Sequence, residues 1–242
     1  GGNATGATQG TATLADGKDG KAAKLSKNFW LNVTAKNGDA LLKGKNDVTI
    51  SYDVKPDASG NTGWTFFAAS NATKQEYGQE HYVGVLDKTT GITVERYNNN
   101  DGKRDSSGNV SYTKTNADWK HVDIVISGAT AKLYIDSKLV AVNNNGQKLT
   151  DILGADGGVL QIGKANWVNG EYYTGALDNL KIYGSAHTAD QIKEATTSLA
   201  WKARRPTTPP RSPSRRKSPA TCRALCWARR LLGPRPATVR SS

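Results

Sequence analysis

Residues 47–54 read DVTISYDV, and this run decides the fold class. Val48, Ile50, Tyr52 and Val54 fall on one side of an extended chain, and Thr49, Ser51 and Asp53 fall on the other. Successive strand side chains point to opposite faces, so one face is apolar and the other polar. Similar runs occur at 64–70 (WTFFAAS), 81–87, 92–98, 119–126 (WKHVDIVI), 131–136 (AKLYID), 138–142, 158–163 and 174–183. Turn-forming clusters separate them: PDASG at 56–60, KTTG at 88–91, NNNG at 143–146 and DGG at 156–158. About a dozen short strands at near-regular spacing predict an all-β antiparallel sandwich or jelly roll. One short C-terminal helix is expected from Thr188. Thr188 and Gln191 form a capping box, and Ile192, Ala195 and Leu199 make a single apolar stripe.

The 242 residues carry 33 Lys+Arg against 21 Asp+Glu, a net charge of +12. Twelve of the bases and none of the acids fall in residues 201–242, so residues 1–200 hold 21 of each and are neutral. A basic body for nucleic acid is excluded. Both cysteines, Cys222 and Cys226, also lie beyond residue 200, which excludes a disulfide-stapled body. The chain therefore divides into a domain over 1–200 and a basic, Arg/Pro-rich tail over 201–242. The tail has no periodic apolar face and reads as disordered or non-native, the product of a frameshift or vector read-through. The functional alternative is a polycationic arm. No stretch approaches the roughly 18 apolar residues of a membrane span. The opening Gly1-Gly2 and the absence of methionine suggest a piece excised from a longer protein.

Four segments carry a resemblance: GKDGKAAKLS (17–26), DVTISYDVKPD (47–57), DWKHVDIVISGATAKLYIDSKLVA (118–141) and YTGALDNLKIYGSAHTADQIKEA (173–195). In this order they resemble the bacterial laminin-G-like domains of the concanavalin-A-like superfamily. Two positions depart from that pattern. Ser137 stands where such domains usually carry Gly in a turn, and His187 stands where a Leu usually precedes the helix. The resemblance implies two curved antiparallel sheets and a place beside a catalytic domain in a secreted or wall-bound bacterial glycoside hydrolase. Fold alone leaves function open.

Glycoside hydrolysis needs two carboxyl groups across one cleft. On a jelly-roll strand they would recur at i, i+2 and i+4, and no such run exists. Residues 1–200 have five glutamates: Glu76, Glu80, Glu95, Glu171 and Glu194. Glu95 has Thr93 and Tyr97 as its same-face neighbours, and Glu76 and Glu80 sit in a loop-like stretch. His81, His121 and His187 lack metal spacing, and nucleophile-elbow and phosphate-loop motifs are missing. The sequence points away from an enzyme.

A sugar offers an apolar C–H face and a rim of hydroxyls, so its site wants aromatic rings beside amides or charged groups. Two regions have that mix. The first is Asn166, Trp167, Asn169 and Tyr172. The second is Tyr82 with Tyr97 and Arg96, brought to one open end if KTTG at 88–91 closes a hairpin. Plugging of the sandwich edge is the alternative role for these rings. Trp119, Tyr134, Tyr52, Phe66 and Tyr183 are expected in packing. By resemblance, a structural Ca²⁺ would use Asp178, with Asp16 or Asp19 reaching it from the N-terminal loop; turn capping is the alternative for Asp178. The expected function is a non-catalytic carbohydrate-binding module of a secreted or cell-wall-associated bacterial enzyme. Its partners would be a polysaccharide or glycan and the parent's catalytic domain, with no nucleic acid and no membrane span. A structural or adhesive spacer, and less readily a glycanase, are the rivals.

Overall fold

The computed structural model describes residues 4–58, 63–70, 81–98, 106–167 and 170–203. Two seven-stranded sheets face one another. The first runs, edge to edge, β1 (Ala4–Gly10), β4 (Phe29–Ala35), β13 (Val159–Ile162), β6 (Trp64–Ala69), β7 (His81–Asp87), β8 (Gly91–Asn98) and β9 (Val110–Thr113). The second runs β12 (Lys138–Asn143), β11 (Thr130–Ile135), β10 (Lys120–Ser127), β5 (Asp47–Pro56), β14 (Gly175–Tyr183), β3 (Lys21–Leu25) and β2 (Leu14–Asp16). Neighbouring strands pair antiparallel, so the fold is the expected all-β sandwich.

The core lies between the sheets. Val48, Ile50, Tyr52 and Val54 of β5 meet Phe66, Ala68, Val83, Val85, Ile92 and Val94 of the first sheet. A short helix α1 (Leu149–Leu153) adds Leu149, Ile152 and Leu153 to this core. The KTTG hairpin forms as expected, with Lys88 N–H donating to Gly91 C=O at 2.8 Å.

The second face of β5 departs from a simple alternation. Thr49, Ser51 and Asp53, read as the polar side, are buried as well. The C-terminal helix α2 (Ala189–Ala203) lies on part of this sheet's outer face, where its Ile192 packs on Val125 and Tyr134. Buried polar groups must then find partners. Thr49 Oγ1 donates to Ser185 C=O at 2.8 Å and accepts the His187 N–H at 2.9 Å. The capping box closes both ways: Thr188 N–H donates to Gln191 Oε1, and Gln191 N–H to Thr188 Oγ1. The helix continues past residue 200 to Ala203, slightly beyond the expected boundary. Residues 204–242, including both cysteines, lie outside the described residues.

Candidate functional site

The outer face of the first sheet, away from the core, carries a second aromatic cluster. A bulge between Trp64 and Phe66 turns Trp64 to the same side as Phe67. Phe67 stacks on Tyr82 (4.7 Å between centroids), and Trp64 meets Tyr82 edge-on at 5.5 Å. Gly84 makes the room, since a Cβ there would lie 2.5 Å from the Trp64 ring. Tyr82 and Tyr97 are direct cross-strand partners with rings 5.1 Å apart, as the hairpin requires. Both are buried, however, so neither offers an open ring face to a sugar. Trp167, half-buried, packs edge-on against Phe67, Tyr82 and Trp64. Asn166 is buried, and Asn169 lies outside the described residues.

Arg96 is the clearest correction. It was expected beside the tyrosines, yet alternation sends its side chain to the opposite face from Tyr97. Its Nε and Nη2 donate to Gly108 C=O at 3.1 and 2.9 Å, and Nη1 donates to Ala129 C=O at 2.9 Å. Gly146 lies flat against the guanidinium. Burial lowers its pKa to about 10. A guanidinium so enclosed ties loops together and is out of a ligand's reach.

Further along the same outer face lies a patch that is open. Trp30 on β4 is half-buried and stands opposite Gln9 of β1. Lys164 and Tyr172 pair by backbone at the end of β13, and both are half-buried. The Lys164 ammonium sits over the Trp30 ring at 4.6 Å from its centroid and 5.8 Å from that of Tyr172. Gly170, at φ +52, lies beneath Tyr172; a Cβ there would be 2.6 Å from the ring. Asn32, two residues along β4 from Trp30, receives the Gln161 amide at 3.3 Å. Rings, amides and a cation thus share one surface. The patch combines the expected Tyr172 with Trp30 and Lys164, which the sequence reading did not select.

On the other sheet's outer face, His121 lies between two aspartates. Nδ1 is 3.0 Å from Asp53 Oδ1, Nε2 is 3.3 Å from Asp123 Oδ2, and Ser51 Oγ is 3.4 Å from Nε2. Asn179 Nδ2 donates to Asp53 at 2.8 Å, and Lys18 approaches it at 3.6 Å. The Ser51–His121–Asp53 order has the outline of a nucleophile–base relay. Burial disfavours the imidazolium, but hydrogen bonds and charge from Asp123 and Asp53 outweigh it and raise its pKa to about 9. A histidine already protonated at neutral pH takes no proton from serine, so the cluster is an ion-pair brace. Inside the sandwich, the buried Lys114 pairs with the equally buried Asp87, whose pKa burial raises to about 6.

Of the expected calcium ligands, Asp178 does lie against the N-terminal loop: a Cβ on Gly17 would sit 2.9 Å from its Oδ2. Its Oδ1 accepts the Asn179 N–H at 2.7 Å. Asp16 instead pairs with Lys21 at 2.6 Å in solvent, and Asp19 is exposed. Among the described residues no group of three or more His, Cys, Asp or Glu could hold a metal. No helix among them is long and apolar enough to cross a membrane. The glutamates Glu95 and Glu171 accept the Tyr82 hydroxyl and the Trp64 indole N–H, each at 2.6 Å, while Glu76 and Glu80 lie outside the described residues.

Residues 31–193 match the family model of laminin-G-like domains in the concanavalin A-like lectin/glucanases superfamily. The chain belongs to this family. No curated protein matches the sequence. Among solved structures, domain 4 of AbnA aligns with a TM-score of 0.56 at 22% identity, over 80% of this chain and 87% of that one. AbnA is an extracellular GH43 arabinanase from Geobacillus stearothermophilus, and its domain was solved with arabinotriose. The binding domain of botulinum neurotoxin DC, solved with rat synaptotagmin II, aligns with a TM-score of 0.58 at 12% identity. The same toxin domain solved with SialylT gives 0.57 at 12%. This chain spans about half of those toxin chains, 47% in each case. At these identities the likeness establishes the shared fold.

Proposed function

We propose that this domain is a non-catalytic carbohydrate-binding module of a secreted bacterial glycan-degrading enzyme, and that it holds sugar on the outer face of the first sheet. The observation that carries this reading is the pair of half-buried rings, Trp30 and Tyr172, set around one ammonium beside the amides of Gln9 and Asn32. The rings supply apolar faces for C–H stacking, and the amides supply in-plane hydrogen bonds. That a domain of the same fold was solved with arabinotriose supports the sugar class. Two stacking rings give affinities on the order of 10 μM to mM, enough for a tether acting beside a catalytic domain. Retention on a panel of plant and mucin polysaccharides tests the reading. Trp30→Ala and Tyr172→Ala should each weaken retention about tenfold, from loss of roughly 1.4 kcal/mol of stacking. Unchanged retention in both variants would refute the site. A structural Ca²⁺ at Asp178, completed by carbonyls of the 17–20 loop, belongs to the same proposal. A lower unfolding temperature in EDTA supports it, and an identical one removes it.

The spacer reading has its own support. The edge strand β12 exposes Leu139 (51%), Val140 and Val142. An apolar groove of about 730 Å³ also opens between β4 and β14, lined by Val33, Leu41, Leu180, Ile182 and Tyr183. Exposed apolar surface of this kind suits packing against a neighbouring domain. No retention of any glycan by a folded sample would favour it.

A further inference from the structure

We infer that the sugar taken by this face is acidic, and that Lys164 selects it by receiving a carboxylate on the sugar ring. The inference rests on the proposed carbohydrate site. Its starting point is where the charge has been placed. Trp30 and Tyr172 flank the Lys164 ammonium, which sets this cation between two aromatic rings. Among the described residues no carboxylate lies within ion-pair distance of it. Lys114 and Lys24, by contrast, are closed off by Asp87 and Asp57.

The nearest acid in sequence to the patch, Glu171, is turned to the Trp64 indole and is not directed at Lys164. Burial lowers the Lys164 pKa, and no carboxylate offsets that effect. A cation that is partly stripped of water and unmatched by an anion gains most from a ligand that brings one. The rings restrict what that ligand can be. A bare anion would use the ammonium alone, whereas a uronic acid lays its C–H face on an aromatic ring and carries its carboxylate at the ring's edge. Asn32 and Gln9 sit beside Trp30 on the same face, in reach of hydroxyls on that ring or its neighbour. Neutral sugars satisfy the rings and amides but leave the ammonium unpaired.

The test uses the full chain and calorimetry with a galacturonate trisaccharide and its methyl ester. Moderate salt screens the basic tail, which every variant shares. The wild-type chain should bind the acid at least about tenfold more tightly than the ester, the scale of one charge-assisted hydrogen bond. Lys164→Gln should bring the affinities for acid and ester level, and Lys164→Arg should retain the preference. Equal binding of acid and ester by the wild type would overturn this inference and leave the carbohydrate site standing. Preference surviving in Lys164→Gln would also overturn it, locating the anion elsewhere, such as on the tail. Binding of neither sugar, nor of any neutral oligosaccharide, would sink the carbohydrate reading as well.

Discussion

Stability should depend on pH through His121. The imidazole sits buried between Asp53 and Asp123, at 3.0 and 3.3 Å, and its pKa stands at about 9 against 6.5 for a free histidine. The folded chain therefore holds this proton more tightly than the unfolded chain does. The resulting stabilisation is fully present below about pH 6.5 and is lost as pH rises through about 9. One pKa unit is worth about 1.4 kcal/mol, so stability should fall by about 2–3 kcal/mol between pH 7 and pH 10. His121→Gln removes the titrating group and leaves two buried carboxylates without their cation, which should cost about 3–5 kcal/mol at neutral pH. Urea unfolding followed at half-unit pH steps measures both effects. Lysines and tyrosines that titrate near pH 10 are common to both proteins and cancel in the difference. A wild-type profile flat from pH 7 to 10, or a slope equally present in His121→Gln, would refute the brace.

Three further features of the framework can be probed. Asp136 and Ser137 form the β11–β12 turn at φ +48 and +66, so Ser137→Gly, which relieves a left-handed residue, should be more stable than Ser137→Ala by about 1 kcal/mol. Ser137 Oγ also donates to Thr196 Oγ1 of α2, so Ser137→Ala keeps the strain, loses that bond, and should destabilise in the same thermal assay. Gly146→Ala would drive a methyl into the Arg96 guanidinium and break its bonds to Gly108 and Ala129, costing about 2–4 kcal/mol by urea unfolding. Lys114→Met should cost about 3 kcal/mol by stranding Asp87, and adding Asp87→Asn should recover most of it in a double-mutant cycle.

The strands were legible because alternation survives wherever one face meets the core, as in Val48, Ile50, Tyr52 and Val54. The capping box at Thr188 and Gln191 was legible for a related reason: it is local, and its geometry is set within four residues. Long-range cover is what the sequence could not show. Asp53 and Ser51 look solvent-facing until His121, Asn179 and Lys18 gather around them. Tyr82 and Tyr97 could be paired from the hairpin alone, but their burial depends on Trp64, Phe67 and Trp167, which come from other parts of the chain. Trp30 could have been found. In FWLNVTA at 29–35, Phe29, Leu31 and Val33 alternate with Trp30, Asn32 and Thr34, which places a tryptophan on the face away from the core. Lys164 carried no local signal, because its role depends on the distance across β4 and β13 to that ring.

The central claim, that sugar lies on the first sheet's outer face at Trp30, is tested most directly by the indole N–H signals of the ¹⁵N-labelled chain during titration with an oligosaccharide that it retains. Trp64, buried with its indole N–H bonded to Glu171, is the internal control. The account predicts a saturable shift of the Trp30 signal with that of Trp64 nearly still. Saturable binding that leaves Trp30 unmoved, with shifts confined to residues lining the groove between β4 and β14, would contradict it.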